Sequence, residues 1–357
     1  MAEDFSLSEL VIPGTYIRVR AEGLISAGGI SSGNIAIVGT ASKGLGVTHI
    51  LSDYETAKAV YGTYGAGELN LVRGLELLYQ NGARTVYSRA LDAGASGRDA
   101  YTAAFRELLK EDVNILVAPQ LSTDDAKAVL NALVDEAEGN NKDVIAVIGS
   151  DAITPATIKA QVVTNKRVVM TSPGIIAYDA AAKADATLGG TWGAAPVAGL
   201  ISSLTPQSSP TNQVLPAVTR LPLRFSYGET KDLVTGGLLV LEQRQGVRVV
   251  RGITTDMAAN GPFKQITTRR ITDFAKAGIR QVSNPFIGRL NNQRVRKALQ
   301  GAISGFLTTM VQDEALTGYT LEVTATRDDE IAGRAMVNAV LQPTFSIDFV
   351  AVTLVLQ

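Results

Sequence analysis

The chain of 357 residues contains no cysteine. That excludes a disulfide framework and thiolate metal sites, and it suits a reducing cytoplasm or a particle assembled there. It contains one histidine, His49, so any Ser–His–acid arrangement has a single base to draw on. No apolar run approaches the roughly 18 residues that a membrane-spanning helix needs, so no membrane partner is expected. The opening MAEDFSLSEL is acidic and lacks a basic segment followed by an apolar one, so no secretory signal is read there. The formal net charge is only −1, and the molecule as a whole gives no sign of a polyanionic partner. No repeat of solenoid length is visible.

What is present is an ordinary globular composition, 46% apolar and 19% charged, long enough for about two domains. Short apolar runs alternate with helical patterns. NIAIVGTASKG, RTVYSRAL, VNILVAP, DVIAVIG and KRVVMTSPG read as strands. SDYE reads as a capping box at Ser52 and Glu55 opening a short helix, and ELNLVRGLELLYQ as a helix closed by Asn81-Gly82. STDDAKAVLNALVDEAEG keeps 3–4 apolar spacing, and TPATIKAQV reads as a further helix. The expected fold class is therefore α/β: an open, mostly parallel sheet with helices on its faces. From about residue 190 to 228 Gly, Pro, Ser and Asn predict mostly loop, before DLVTGGLLVLEQ and GVRVVRGITT resume order. A helix over TRRITDFAKAGIRQVSN and a longer one capped by Asn292, with Val295, Leu299, Ile303, Phe306 and Met310 buried, lead to a hairpin across RDDE. This last part reads as a C-terminal α+β domain.

Signals for catalysis are weak. GISSG at 29–33 matches the G-x-S-x-G pattern, but it precedes a strand in a flexible stretch instead of joining strand to helix. GTASKGLG at 39–46 follows a strand as a phosphate loop does, yet it lacks both nucleotide-binding glycine patterns. No His/Cys/carboxylate cluster has metal-ligand spacing, and RDDE at 327–330 reads as a polar turn. No catalytic residue, metal ligand or cofactor is assigned. Two functional alternatives remain at this level: a soluble α/β enzyme holding a phosphate-bearing ligand near 39–46, and a nucleic-acid-binding protein using a basic C-terminal third.

Charge placement and the two ends stand out more. Between Arg244 and Lys297, nine arginines and three lysines face Asp256 and Asp273, a net +10, so the rest of the chain carries −11. Residues 92–143 hold a net −6 of that. Such a basic region either docks an acidic partner or pairs with the acidic half of its own chain. It has few aromatics, Phe263 and Phe274 among them, which argues against base stacking. At the start, Thr15, Ile17 and Val19 alternate with Tyr16, Arg18 and Arg20 before a Gly/Ser-rich stretch. At the end, FSIDFVAVTLVLQ alternates through Phe345, Ile347 and Phe349 and then turns wholly apolar through Val352 and Leu354. Both read as strands set off from the body. Each either folds back into its own sheet or adds to a neighbour's sheet edge, and a repeated head-to-tail contact of that kind closes a ring or grows a helix.

The ordered series IPGTYI (12–17), IVGTASKG (37–44), NGARTVYSRA (81–90), APVAGLISSL (195–204), TRRITDF (268–274) and NNQRVRKALQGAISGFLTTMVQDEALTG (291–318) resembles the contractile tail sheath proteins of bacteriophages and related injection systems. The resemblance spans nearly the whole chain. It implies a structural protein and not an enzyme, without cofactor or direct nucleic-acid contact. It implies helical stacking of copies around an inner tail tube protein, with baseplate and tail-terminator proteins at the ends, in a virion tail or contractile particle assembled in the bacterial host cytoplasm. Implied units are a strand arm at 1–20, a body of subtilisin-like fold at 21–255, a tube-facing domain at 256–342 and a second arm at 343–357. Thr15, Tyr16, Ile17 and Val19 would join one neighbour, and Phe345, Ile347, Phe349, Val352 and Leu354 another. Arg289, Arg294 and Lys297 would face the tube. The chain is short for the family and leaves no room for large inserted surface domains.

Overall fold

In this computed structural model, which describes residues 29–257 and 261–355, the run IAIVGT becomes β1 (Ile35–Thr40). Alternation sends Ile35 and Ile37 to one face and Ala36 and Val38 to the other, and all four are fully buried. A strand buried on both faces needs helices on both, and the sequence supplies them in turn. The chain continues through β2 (Thr48–Leu51), α1 (Tyr54–Tyr61), α2 (Leu71–Gln80), β3 (Val86–Leu91), α3 (Arg98–Leu108) and β4 (Ile115–Val117). A helical rod follows, α4 (Thr123–Ala126) passing through a π-helical stretch Lys127–Asn131 into α5 (Ala132–Gly139). Then come β5 (Ile145–Gly149), α6 (Pro155–Ala160), β6 (Val168–Ser172), the hairpin β7 (Ile175–Asp179) to β8 (Ala184–Leu188), α7 (Ala194–Ser203), α8 (Tyr227–Thr235), β9 (Leu238–Gln243) and β10 (Val247–Val249).

These strands form an eight-stranded sheet in the order β10-β9-β6-β5-β4-β1-β3-β2. The pairs from β9 across to β3 are parallel, and only the edge strands β10 and β2 run antiparallel. Leu75, Leu78, Val197 and Ile201 of α2 and α7 cover one face. Phe105 of α3, with Leu130 and Leu133 of the rod, covers the other.

Beyond the sheet lie α9 (Ile266–Ser283), α10 (Gln293–Gln312), β11 (Leu316–Thr324), α11 (Arg327–Ile331) and β12 (Met336–Pro343). They build a separate core from Ile271, Ala275, Ile303, Phe306, Met310 and Val323. Asn292 caps α10 by accepting from the Val295 amide, as expected. The helices cross closely at Gly278, where an added Cβ would stand 1.9 Å from Phe306 Cζ. Gly278→Ala therefore overpacks this core. An expected loss of about 1–3 kcal/mol, despite the better helix former, is measured by urea unfolding. An unchanged midpoint would mean that the ring moves aside freely.

Several sequence expectations need correction. The stretch predicted as loop from 190 contains α7, whose residues Ala194–Ile201 are all buried. Its Pro and Gly mislead because Pro196 sits in the first turn and Gly199 lets the helix approach the Leu78 carbonyl. The cap of α1 is Asp53 and not Ser52: Asp53 Oδ1 accepts from the Thr56 amide at 2.7 Å, and Ser52 donates to Asp53. The RDDE turn is the short helix α11, capped by Thr326. The terminal segment expected as one long strand pairs in no ladder with the described residues from 344 to 355. The amino-terminal strand residues Thr15, Tyr16, Ile17 and Val19 lie outside the described residues.

Candidate assembly interface

A parallel sheet offers a ligand crevice at the carboxyl ends of its strands where the winding reverses. Here that point lies between β1 and β4, beside the 39–46 loop. Gln120 fills it. Its Oε1 accepts from the Thr40 amide at 2.6 Å, and its Nε2 donates to Thr40 Oγ1 and the Leu69 carbonyl, each at 2.8 Å. A Cβ on Gly39 would collide with the same Oε1. The crevice in which a phosphate would sit is thus closed by the chain's own carboxamide.

The other sequence motifs are likewise absorbed into structure. His49, on edge strand β2, stacks edge-on against Tyr61 at 5.6 Å. Ser31 of GISSG donates to Asn114 Oδ1 at 2.9 Å, beneath the amino ends of β1 and β4. In RDDE, Asp329 serves as partner to Thr326 and Arg334, and Glu330 to Arg296 and Arg327. Among the described residues no group of three His, Cys, Asp or Glu is placed to hold a metal.

The end of the chain behaves differently. After β12, the Thr344 amide donates to the Ala315 carbonyl at 3.1 Å, and the segment then crosses the body. Gln265 Oε1 accepts from the Ser346 amide at 3.2 Å while its Nε2 donates to the Ser346 carbonyl at 3.4 Å. The same Nε2 reaches Asp348 at 3.2 Å, and Arg251 Nε pairs with Asp348 at 2.7 Å. Thr211 Oγ1 lies 3.5 Å from the other Asp348 oxygen. This alternation is inverted relative to a core strand. The Asp348 side chain is 5% exposed, whereas Phe345, Ile347 and Phe349 are 58%, 83% and 77% exposed. The polar edge is docked and the apolar edge faces outward, followed by exposed Val350, Val352, Leu354 and Val355. Arg251 also lies over the Phe349 ring at 5.0 Å. Exposed apolar backbone without ladder partners is what soluble monomers suppress.

A matching acceptor lies nearby. β11 and β12 form a two-stranded sheet, and among the described residues neither outer edge is paired. Its inner face, with Val337 and Leu341, packs on the core of α9 and α10, while Met336 and Val340 are exposed. A two-stranded sheet is weak alone and gains from added strands.

The basic region divides in two. Much of it pairs internally. Arg167, fully buried, donates to Glu138 at 3.0 Å, to Asp143 at 2.9 Å and to Asp273 of α9 at 3.0 Å. Lys276 and Arg280 of α9 also bind Asp143, and Arg269 binds Asp273. The Arg167 hydrogen bond pulls the Glu138 carboxyl down to about 2. Burial opposes ionisation of Asp143, but the Lys276 and Arg280 hydrogen bonds outweigh it and hold that carboxyl below its usual range. Acidic body and basic helix are thus joined by a half-buried ion network.

Arg289, Arg294 and Lys297 are all exposed. Lys297 donates to Gln300 at 3.2 Å and has no ion-pair partner among the described residues, and Arg289 bonds the Pro285 carbonyl at 2.8 Å over the Phe286 ring. Arg294 has no ion-pair or hydrogen-bond partner among the described residues. Arg294 and Lys297 stand one turn apart on α10, with Arg289 in the loop before it. Sequence reading missed Arg251, Gln265 and Arg167. The signal for the first two was Asp348 itself, the one charged side chain of 345–357, which needs a partner once buried.

Comparison with known proteins agrees with this architecture. Residues 94–255 match the phage tail sheath protein central domain, and residues 258–357 match the phage tail sheath C-terminal domain. A search of curated protein sequences finds no match. The fold is similar to that of the anti-feeding prophage helical sheath in its contracted state, with 20% identity and a TM-score of 0.76 over 96% of this chain and 99% of that one. It is also similar to the contracted PVC sheath complex of an extracellular contractile injection system, with 16% identity and a TM-score of 0.75 over 96% and 97% of the two chains. The sheath tail protein of Desulfitobacterium hafniense shares 14% identity and a TM-score of 0.70 over 93% of this chain and all of that one. Two sheath models matched in sequence order across most of the chain, on a fold common to sheath subunits, establish the assignment: the chain belongs to the phage tail sheath family and is a structural subunit of a contractile sheath.

Proposed function

We propose that copies of this chain polymerise into a helical sheath around an inner tube by exchanging terminal strands. The observation that carries this is the inverted docking of the terminal segment, which turns Phe345, Ile347 and Phe349 away from their own subunit. The outward side chains of Phe345, Ile347 and Phe349 lie against a neighbour, and the backbone beyond them, with Val352 and Leu354, adds to the open edge of that neighbour's β11–β12 sheet, satisfying backbone groups and covering apolar surface together. Thr15, Tyr16, Ile17 and Val19 make the complementary contact at the other end. The working units are arms at 1–20 and 343–357, a body at 21–255 and a domain at 256–342. Baseplate and terminator proteins close the ends, and assembly takes place in the bacterial host cytoplasm.

Contraction moves subunits as near-rigid bodies while arms stay paired, because packed interfaces switch between discrete arrangements instead of deforming. The Arg167 network supports this by locking α9 to the body.

Arg289, Arg294 and Lys297 face an acidic tube. They are the exposed cations of this region that internal carboxylates leave unneutralised. Reversing Arg294 and Lys297 to Glu is expected to lower tube co-sedimentation at least tenfold, with unchanged self-assembly. Binding that survives the reversal would place the tube on another face.

A further inference from the structure

Ser32, near the start of the described residues, and Ser346 of the terminal segment both bond to the first turns of α9 or its cap. At the carboxyl end, Gln265, the residue capping α9, offers its side chain to Ser346 as a neighbouring strand would: Oε1 takes the amide and Nε2 gives to the carbonyl. It makes no cap hydrogen bond to its own helix. At the amino end, Arg270 Nη2 donates to the Ser32 carbonyl at 3.0 Å, where the chain enters the body. Its other bonds, to the Leu204 and Thr205 carbonyls at 2.8 and 3.1 Å, fix the guanidinium from the side of α7. Burial pulls Arg270 down to about 10, which leaves it charged at neutral pH. Gln265 and Arg270 are five residues apart, about 7.5 Å along the helix. Three residues further on, Asp273 is tied to Arg167 and Arg269.

We propose that residues 265–270 are a clasp that grips the roots of both arms and passes load from one arm to the other without loading the sheet. This rests on the strand-exchange reading, since only exchanged arms are pulled. The clasp makes the crossing segment begin at Val350 and not at Pro343, because 344–349 are held by their own subunit. It is a positioning device: Gln265, Arg251 and Arg270 orient the arms and make no contact with the partner.

Hydrogen exchange on the unassembled full-length protein tests the grip directly. Amides of 345–349 should exchange at least tenfold more slowly than those of 350–355, and Gln265→Ala with Asp348→Ala should erase that difference. Asp348→Asn, which keeps an acceptor for Arg251, should retain part of it. Arg270→Lys serves at the other root and should speed exchange at Gly33 and Asn34, with the sheet amides as a folding control. Equal exchange across 345–355 in the natural sequence would overturn the clasp while leaving strand exchange standing. Load-bearing is tested on assembled tubes. Those made from the Gln265→Ala, Asp348→Ala protein should fall apart at least tenfold faster in guanidinium, and tubes as durable as those of the natural sequence would overturn the inference. Failure of the natural sequence to polymerise with a tube would instead strike at the sheath reading and is read separately.

Discussion

A chain stopped after Pro343 is expected to stay folded and to lose polymerisation completely. Pro343 closes β12, opposite Leu316, so the β11–β12 ladder survives the cut. None of the apolar cores contains a residue beyond Leu341. Among the described residues, the cut removes hydrogen-bond partners of Arg251, Gln265, Thr211 and the Ala315 carbonyl, so little global stability goes with them. The deleted segment supplies seven exposed large apolar side chains, from Phe345 to Val355. At roughly 25 cal/mol per Å², covering them is the largest apolar gain the terminal arm offers any neighbour. Circular dichroism and sedimentation velocity separate the two expectations. A truncated chain that is unfolded would make the segment part of the body's own core. One that is folded and still sediments as a polymer would remove the segment from assembly.

The second large effect concerns Arg167. Replacing it with Met is expected to cost about 3–5 kcal/mol, the range for removing one member of a buried ion network. The guanidinium has no exposed surface and bonds Glu138, Asp143 and Asp273, together with the Val144 carbonyl at 3.2 Å. Without it, Asp143 keeps Lys276 and Arg280, but among the described residues Asp273 keeps only Arg269 as an ion-pair partner while its side chain stays largely buried. Urea unfolding should show the loss, and α9 amides should gain exchange before those of the sheet. Acid should weaken the same joint. Glu138 drops from 4.5 to about 2 on folding, so its contribution is complete above about pH 4.5 and drains away as pH falls toward 2. A variant as stable as the natural sequence, or one that loosens sheet and α9 together, would deny Arg167 the role of inter-domain joint.

The periodic parts of the fold are legible in the sequence because periodicity is a local property. Ile35 to Val38 alternate, the α10 stripe from Leu299 to Met310 repeats at helical spacing, and both elements form as read. α7 is hidden because its identity depends on what it touches: Gly199 looks like a loop residue until the Leu78 backbone is placed against it, and Pro196 until it is placed in the first turn. The sense of the last segment is hidden for the same reason. Alternation shows that Phe345 and Ser346 face opposite ways, but which face docks is decided by Gln265 and Arg251, more than eighty residues upstream. The basic surplus is visible as a count. Its division into internal pairs around Asp143 and exposed Arg294 and Lys297 needs the packing of α9 on the body.

Strand exchange is tested most directly by electron cryomicroscopy of the polymer formed by the full-length chain with its tube, tracing residues 344–355 from one copy. Exchange requires hollow tubes in which the chain passes Asp348 in contact with its own Arg251, then pairs from Val350 onward with the β11–β12 sheet of a neighbour. A segment that folds back on its own subunit in such a tube, or a full-length chain that forms no tube at all, would contradict it.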